Sequence, residues 1–122
     1  MAKGGEIFIL KMPVIKLGDL VDVVIDKYGK KYDSKKGDIE KKIVGPRAGE
    51  KVFEELMTGI EAEMAYETDE MLIIPPQLEL SNIKFEVSDY QNANYSKLNQ
   101  YNSRDVEPLS KAEIKKLLFT QL

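Results

Sequence analysis

The residues best placed to do chemistry lie in one short stretch, Ile43-Val44-Gly45-Pro46-Arg47-Ala48-Gly49-Glu50-Lys51. An Arg inside a glycine-flanked turn can offer its planar guanidinium to two oxygens of one anion at once. The apolar residues before the turn predict a strand, and the periodic residues after it predict a helix that starts at once. Backbone N–H groups at a helix start also attract anions. Arg47 and Glu50 are therefore the candidate ligand-binding residues, for a phosphorylated group and for a pair of hydroxyls respectively. The same spacing also fits an ordinary strand-to-helix turn, with Glu50 and Lys51 simply near a helix N-terminus.

Two other constellations are weaker. Tyr32 and Lys36 have the Tyr-x-x-x-Lys spacing of an acid/base pair, but they fall in a charged connector of a Lys-rich chain, where such a pair arises by chance. Glu61, Glu63, Glu67, Asp69 and Glu70 are acidic enough for a metal site. They lack the Gly-turned loop of a calcium site, so a solvated face accounts for them.

What is missing narrows the chemistry further. The chain has no Cys and no His, hence no thiolate, no disulfide and none of the commonest transition-metal ligand. No Gly-x-Gly-x-x-Gly follows a strand and no Gly-x-x-x-x-Gly-Lys-Ser occurs, so neither a dinucleotide fingerprint nor a phosphate loop is present. We therefore expect no catalytic residue, no bound cofactor and no metal in this chain alone.

The elements that must position Arg47 follow from periodicity. Glu6 to Leu10 is rich in β-formers between Gly4-Gly5 and Pro13, which predicts a strand. Leu17, Leu20, Val21, Val24, Ile25 and Tyr28 draw one helical stripe that Gly29 ends. Ile39 to Val44 reads as a short strand. Val52, Phe53, Leu56, Met57, Ile60 and Met64 draw a second helical stripe, and Met71 to Ile74 is a buried strand closed by Pro75-Pro76. Residues 76–106 read as a segment wrapping over a surface, with one strand at Ile83 to Val87. Ser110 and Glu113 form a capping box for a terminal helix over 110–121, in which each side chain satisfies a free backbone N–H. The result is a single α/β domain over 1–122 with few short strands and about three helices, and no complete Rossmann domain.

Composition bounds the partners. With 122 residues, 43% hydrophobic and 32% charged, the chain is long enough and apolar enough to bury a core. Its 18 basic against 21 acidic side chains, net −3, exclude a partner held mainly by phosphate-backbone electrostatics, so no nucleic acid is expected. The apolar run near the N-terminus is too short for a signal peptide or a membrane span, and a cytoplasmic location is expected.

Gly4-Gly5-Glu6-Ile7-Phe8-Ile9-Leu10, Lys16-Leu17-Gly18-Asp19-Leu20 and Gly45-Pro46-Arg47-Ala48-Gly49-Glu50-Lys51 follow one another in an order that resembles the C-terminal region of a known family. That family is the polysaccharide-biosynthesis (capsular) UDP-N-acetylglucosamine 4,6-dehydratases and epimerases, which are extended short-chain dehydrogenases. Glu67 to Ile74, Tyr101-Asn102-Ser103, Leu109-Ser110, Glu113 and Leu117-Leu118 extend the likeness over essentially the whole chain. The family's third motif reads close to G-x-R-P-G-E-K, and this chain carries Ala48 where Pro is usual.

The resemblance implies an N-terminal Rossmann half that holds NAD(P) and a smaller C-terminal part that closes over a UDP-sugar. It assigns Arg47 to the UDP diphosphate and Glu50 to the nucleoside ribose. The family's catalytic Tyr/Lys pair belongs to the half that precedes this region. Two readings follow: the substrate-binding part of a nucleotide-sugar dehydratase or epimerase, silent unless joined to its Rossmann half, or a stand-alone interaction module derived from that fold. The first also predicts self-association, because helix faces made to pack on another domain would otherwise stay bare.

Overall fold

The computed structural model describes residues 2–32, 39–78 and 84–120. Its elements run β1 (Ile7–Leu10), α1 (Leu17–Tyr28), a 3-10 turn (Lys30–Tyr32), β2 (Glu55–Met57), α2 (Gly59–Ala62), β3 (Tyr66–Glu67), β4 (Met71–Ile74), a 3-10 turn (Val87–Asp89), β5 (Asn94–Tyr95), β6 (Tyr101–Asn102) and α3 (Lys111–Phe119). The fold is thus small and α/β; the described residues hold three α-helices and antiparallel strand pairs and form no complete Rossmann domain. It divides into two compact units, Met1–Met12 with Phe53–Asp105, and Pro13–Val52 with Val106–Leu122.

The first unit is built on a four-stranded sheet of order β1-β4-β3-β5. A strand covered on both faces needs no polar alternation, and β4 shows it: Leu72, Ile73 and Ile74 are all at most 1% exposed. Register puts Phe8 opposite Ile73, Ile73 opposite Tyr66, and Tyr66 opposite Tyr95, so these four form one row on one face. Phe85 and Tyr90 lie over that row. Their rings stack at 5.6 Å, with Phe8 5.8 Å from Tyr90 and Tyr66 5.7 Å from Phe85. On the opposite face Leu72 and Ile74 meet Met57, Ala62 and Ala65 in a buried cluster flanked by Ile9, Met64 and Tyr101.

The periodicity from Val52 to Met64 does not make one continuous helix: only Gly59–Ala62 is helical, and Glu55–Met57 is a strand. Thr58 and Glu61 form a capping box, with the Thr58 N–H donating to Glu61 Oε2 at 2.8 Å and the Glu61 N–H to Thr58 Oγ1 at 3.4 Å. A capping residue keeps extended backbone (Thr58 φ −76°, ψ 165°), so a helix cannot run through it. The residues before it pair instead with β6. The Ser103 N–H donates to the Glu54 carbonyl at 2.8 Å, and the Glu54 N–H donates to Ser103 Oγ at 2.9 Å. The expected stripe is therefore split: Met57 is fully buried while Val52 is 90% exposed.

Two expected strands are also absent among the described residues. Ile39 to Val44 carries β-formers but has no ladder partner among the described residues, and it runs exposed with no regular structure. Propensity alone does not make a strand, because the backbone groups must be paired. Of Ile83 to Val87, Ile83 lies outside the described residues, Lys84 to Glu86 form no strand, and Val87 begins a 3-10 turn. The wrapping segment also holds two short strands, β5 and β6.

The second unit pairs α1 with α3. Val23 and Ile114 are its buried apolar residues, and the Leu109 N–H donates to the Val14 carbonyl at 2.8 Å ahead of α3. The Tyr28 and Phe119 rings meet edge to face at 5.9 Å, with the Lys27 ammonium 4.5 Å from the Phe119 centroid. Ser110 caps α3 as the sequence predicts: its N–H donates to Glu113 Oε2 at 2.8 Å, and the Glu113 N–H donates to Ser110 Oγ at 3.3 Å.

Candidate functional site

Gly45 and Gly49 bracket the Arg47 turn with φ of +76° and +84°, the left-handed region that side chains with a Cβ avoid. Between them the turn closes on itself. The Glu50 N–H donates to the Arg47 carbonyl at 3.0 Å, and the Arg47 N–H donates to Glu50 Oε2 at 2.8 Å. Both side chains are exposed, as is every residue from 39 to 52. The structure thus brings Arg47 and Glu50 together, but as two ends of one turn.

No helix follows that turn. The chain continues through bends at Val52 and Phe53 into β2. The expected contribution of a helix start to anion binding is therefore removed, because the residues after the turn pair with β6. What remains for an anion is the guanidinium itself, since the Arg47 and Glu50 N–H groups are engaged within the turn.

The other sequence candidates fall elsewhere. Tyr32 is 71% exposed at the end of the 3-10 turn after α1, and Lys36 lies outside the described residues. The acidic run is dispersed into structural roles: Glu61 caps α2, Glu63 ends it, and Glu67 pairs with Lys11 at 2.6 Å. Among the described residues no group of three or more acidic side chains is arranged to hold a metal ion. Open concavities of about 560 Å³ beside Thr68 to Met71 and about 740 Å³ beside Thr58 to Ile60 belong to the first unit, and neither is lined by Arg47 or Glu50.

Three polar nodes escaped sequence reading because their partners are far apart in the chain. Tyr90 donates its O–H to Glu6 Oε1 at 3.0 Å. Burial, then the Glu6 hydrogen bond, pushes the Tyr90 phenol up to about 12. The backbone N–H of Lys3 is the main influence holding the Glu6 carboxyl at about 2. Lys11 Nζ donates to Glu67 Oε1 and to the Thr68 carbonyl, each at 2.6 Å. Asp22 accepts from Lys111 Nζ at 2.6 Å and from Lys41 Nζ at 2.5 Å, and these two bonds, that to Lys111 foremost, hold its carboxyl at about 2.

Residues 1–76 match the model of the family described as polysaccharide biosynthesis protein. The chain belongs to that family. Over 97% of its length it is 42% identical to a protein of Methanocaldococcus jannaschii described as an uncharacterized membrane protein, of which the match covers 32%. It is also similar to the X-ray structure of Pen from Bacillus thuringiensis, with a TM-score of 0.80 at 40% identity over 99% of this chain and 33% of that one. The chain thus spans about a third of the length of these two proteins. No helix among the described residues is long and apolar enough to cross a membrane.

Proposed function

We propose that this chain is the substrate-binding part of a nucleotide-sugar 4,6-dehydratase or epimerase within the polysaccharide biosynthesis family, with Arg47 as the contact for the UDP diphosphate. The observation that carries the reading is the exposed, glycine-bracketed turn that ends on Glu50, in a chain of this family. A guanidinium carried at the first position of a closed turn can take two phosphate oxygens with little loss of backbone freedom on binding. Glu50 Oε2 is engaged by the Arg47 N–H. Its other oxygen is the one to accept a ribose hydroxyl.

In this reading NAD(P) belongs to a Rossmann half outside these 122 residues, and this chain alone neither binds NAD(P) nor turns over sugar. Its partners are that half, the UDP-sugar and further copies of itself in a cytoplasmic assembly. The test is to mix the chain with a separately expressed cofactor half of the family and follow UDP-N-acetylglucosamine consumption. Turnover that requires both parts supports the proposal. Turnover by the cofactor half at the same rate without this chain contradicts it.

A further inference from the structure

The Arg47 turn sits on an arm, residues 39–52, that is exposed throughout. Its backbone makes no strand or helix, so its position has to come from elsewhere. Near its base the Ile39 side chain lies beside Gly29 at the end of α1. Among the described residues, the hydrogen bond that ties the arm to the helices runs from Lys41 Nζ to Asp22 Oδ1, at 2.5 Å.

Asp22 is itself fixed. It projects from α1, and its second oxygen accepts from Lys111 Nζ at 2.6 Å, with Asp19 Oδ1 3.5 Å from the same ammonium. Lys111 is the first residue of α3, where a cation opposes the helix dipole. Asp19 and Asp22 of α1 account for a lysine in that place. One carboxylate therefore links α1, the start of α3 and the arm. Asp26 and Lys115 line the same shallow groove.

We infer that Asp22 is a positioning residue for the Arg47 turn: by gripping Lys41, six positions before Arg47, it holds the arm where its guanidinium meets the diphosphate. This rests on the proposed role of Arg47. Asp22 touches no ligand in this account. Releasing Lys41 lengthens the free stretch that must be ordered when ligand binds, and that entropic cost grows only slowly with length. The pair is also half open to water, with Lys41 49% and Asp22 33% exposed. The expected loss of UDP-sugar affinity is accordingly about 2- to 5-fold, the range of a part-exposed ion pair, and smaller than that for removing Arg47 itself.

The test has two readouts on the full 122-residue chain. The first is backbone order of residues 43–50 by NMR relaxation without ligand. The second is UDP-N-acetylglucosamine affinity by calorimetry with the cofactor half present. Lys41→Gln and Asp22→Asn should both loosen the arm and weaken binding 2- to 5-fold, and Lys41→Arg should restore both. Lys41→Gln changes only an exposed side chain, so it reports even if Asp22→Asn unfolds the helix pair. Unchanged order at 43–50 in Lys41→Gln overturns the inference whatever the ligand does. A loosened arm with unchanged affinity, where Arg47→Ala does weaken binding, overturns it too. If Arg47→Ala leaves affinity unchanged, the diphosphate reading has failed and the positioning role falls with it, while arm order still reports the tether.

Discussion

Arg47 and Glu50 exchange hydrogen bonds across one turn, the Arg47 N–H to the Glu50 carboxylate at 2.8 Å and the Glu50 N–H to the Arg47 carbonyl at 3.0 Å. Glu50 therefore shapes the turn as well as offering an oxygen to a ligand. Glu50→Gln keeps an acceptor oxygen for the Arg47 N–H, whereas Glu50→Ala removes it. A hydrogen bond of this kind contributes about 0.5–1.5 kcal/mol. Glu50→Ala should weaken UDP-sugar binding by up to about 10-fold. Glu50→Gln should harm it less, and less than Arg47→Ala does. Calorimetric titration of the three variants ranks them.

Gly49 allows the turn to close because its φ is +84°. A Cβ there meets nothing within 4 Å, so substitution strains the backbone and not the packing. Left-handed backbone costs an L-residue about 1–2 kcal/mol, least for Asn. Gly49→Val should thus lower UDP-sugar affinity by about 5- to 30-fold, Gly49→Asn by less, with no change in the unfolding midpoint of the sheet unit. Paired binding and denaturation curves check this.

The chain's legibility divides along the range of the interactions. Local signals could be read directly: the Leu17 stripe and Gly29 give α1, Ser110 and Glu113 give the start of α3, and the apolar run of Met71 to Ile74 gives β4. The hydrophobic spacing from Val52 to Met64 points to one long helix, while the capping box at Thr58 and Glu61, equally visible in the sequence, starts a helix only after Thr58. Pairing with Ser103, 49 positions away from Glu54, then decided for β2. Arg47 and Glu50 stand out by type and spacing. Asp22 does not, since its partners Lys41 and Lys111 lie 19 and 89 positions away.

The core should be sensitive to truncation and the arm nearly insensitive to it. Leu72 is fully buried at the centre of the sheet, and Leu72→Ala should cost about 2–5 kcal/mol. Ile43 is 94% exposed, and Ile43→Ala should stay within about 0.5 kcal/mol of the unsubstituted chain. Urea denaturation measures both. A large loss at Ile43 would mean that the arm is covered in solution.

Asp22 gives a pH signature. Its hydrogen bonds from Lys111 and Lys41 lower its carboxyl from 3.8 to about 2. A depressed carboxyl stabilises the fold above its unfolded value, and that contribution disappears as pH falls from 3.8 through about 2. Lys111 is shifted the other way, raised by the same bond, so its contribution is present below 10.5 and lost above its raised value. Carbon-13 titration of the Asp22 carboxyl should show a midpoint near 2, and Asp22→Asn should flatten the stability slope between pH 3.8 and 2. A midpoint near 3.8 would mean that both lysines are detached in solution.

The central claim is that Arg47 holds a diphosphate, and its most direct test is the UDP-N-acetylglucosamine dissociation constant of Arg47→Ala in the assembly with the cofactor half. Charge-assisted hydrogen bonds contribute about 1.5–3 kcal/mol each, so the constant should rise at least ~10-fold. Arg47→Lys should recover only part of the loss, because an ammonium lacks the two-pronged planar contact. An Arg47→Ala assembly that binds the UDP-sugar as tightly as the unsubstituted one would contradict the account and leave the turn as a connector between α1 and β2.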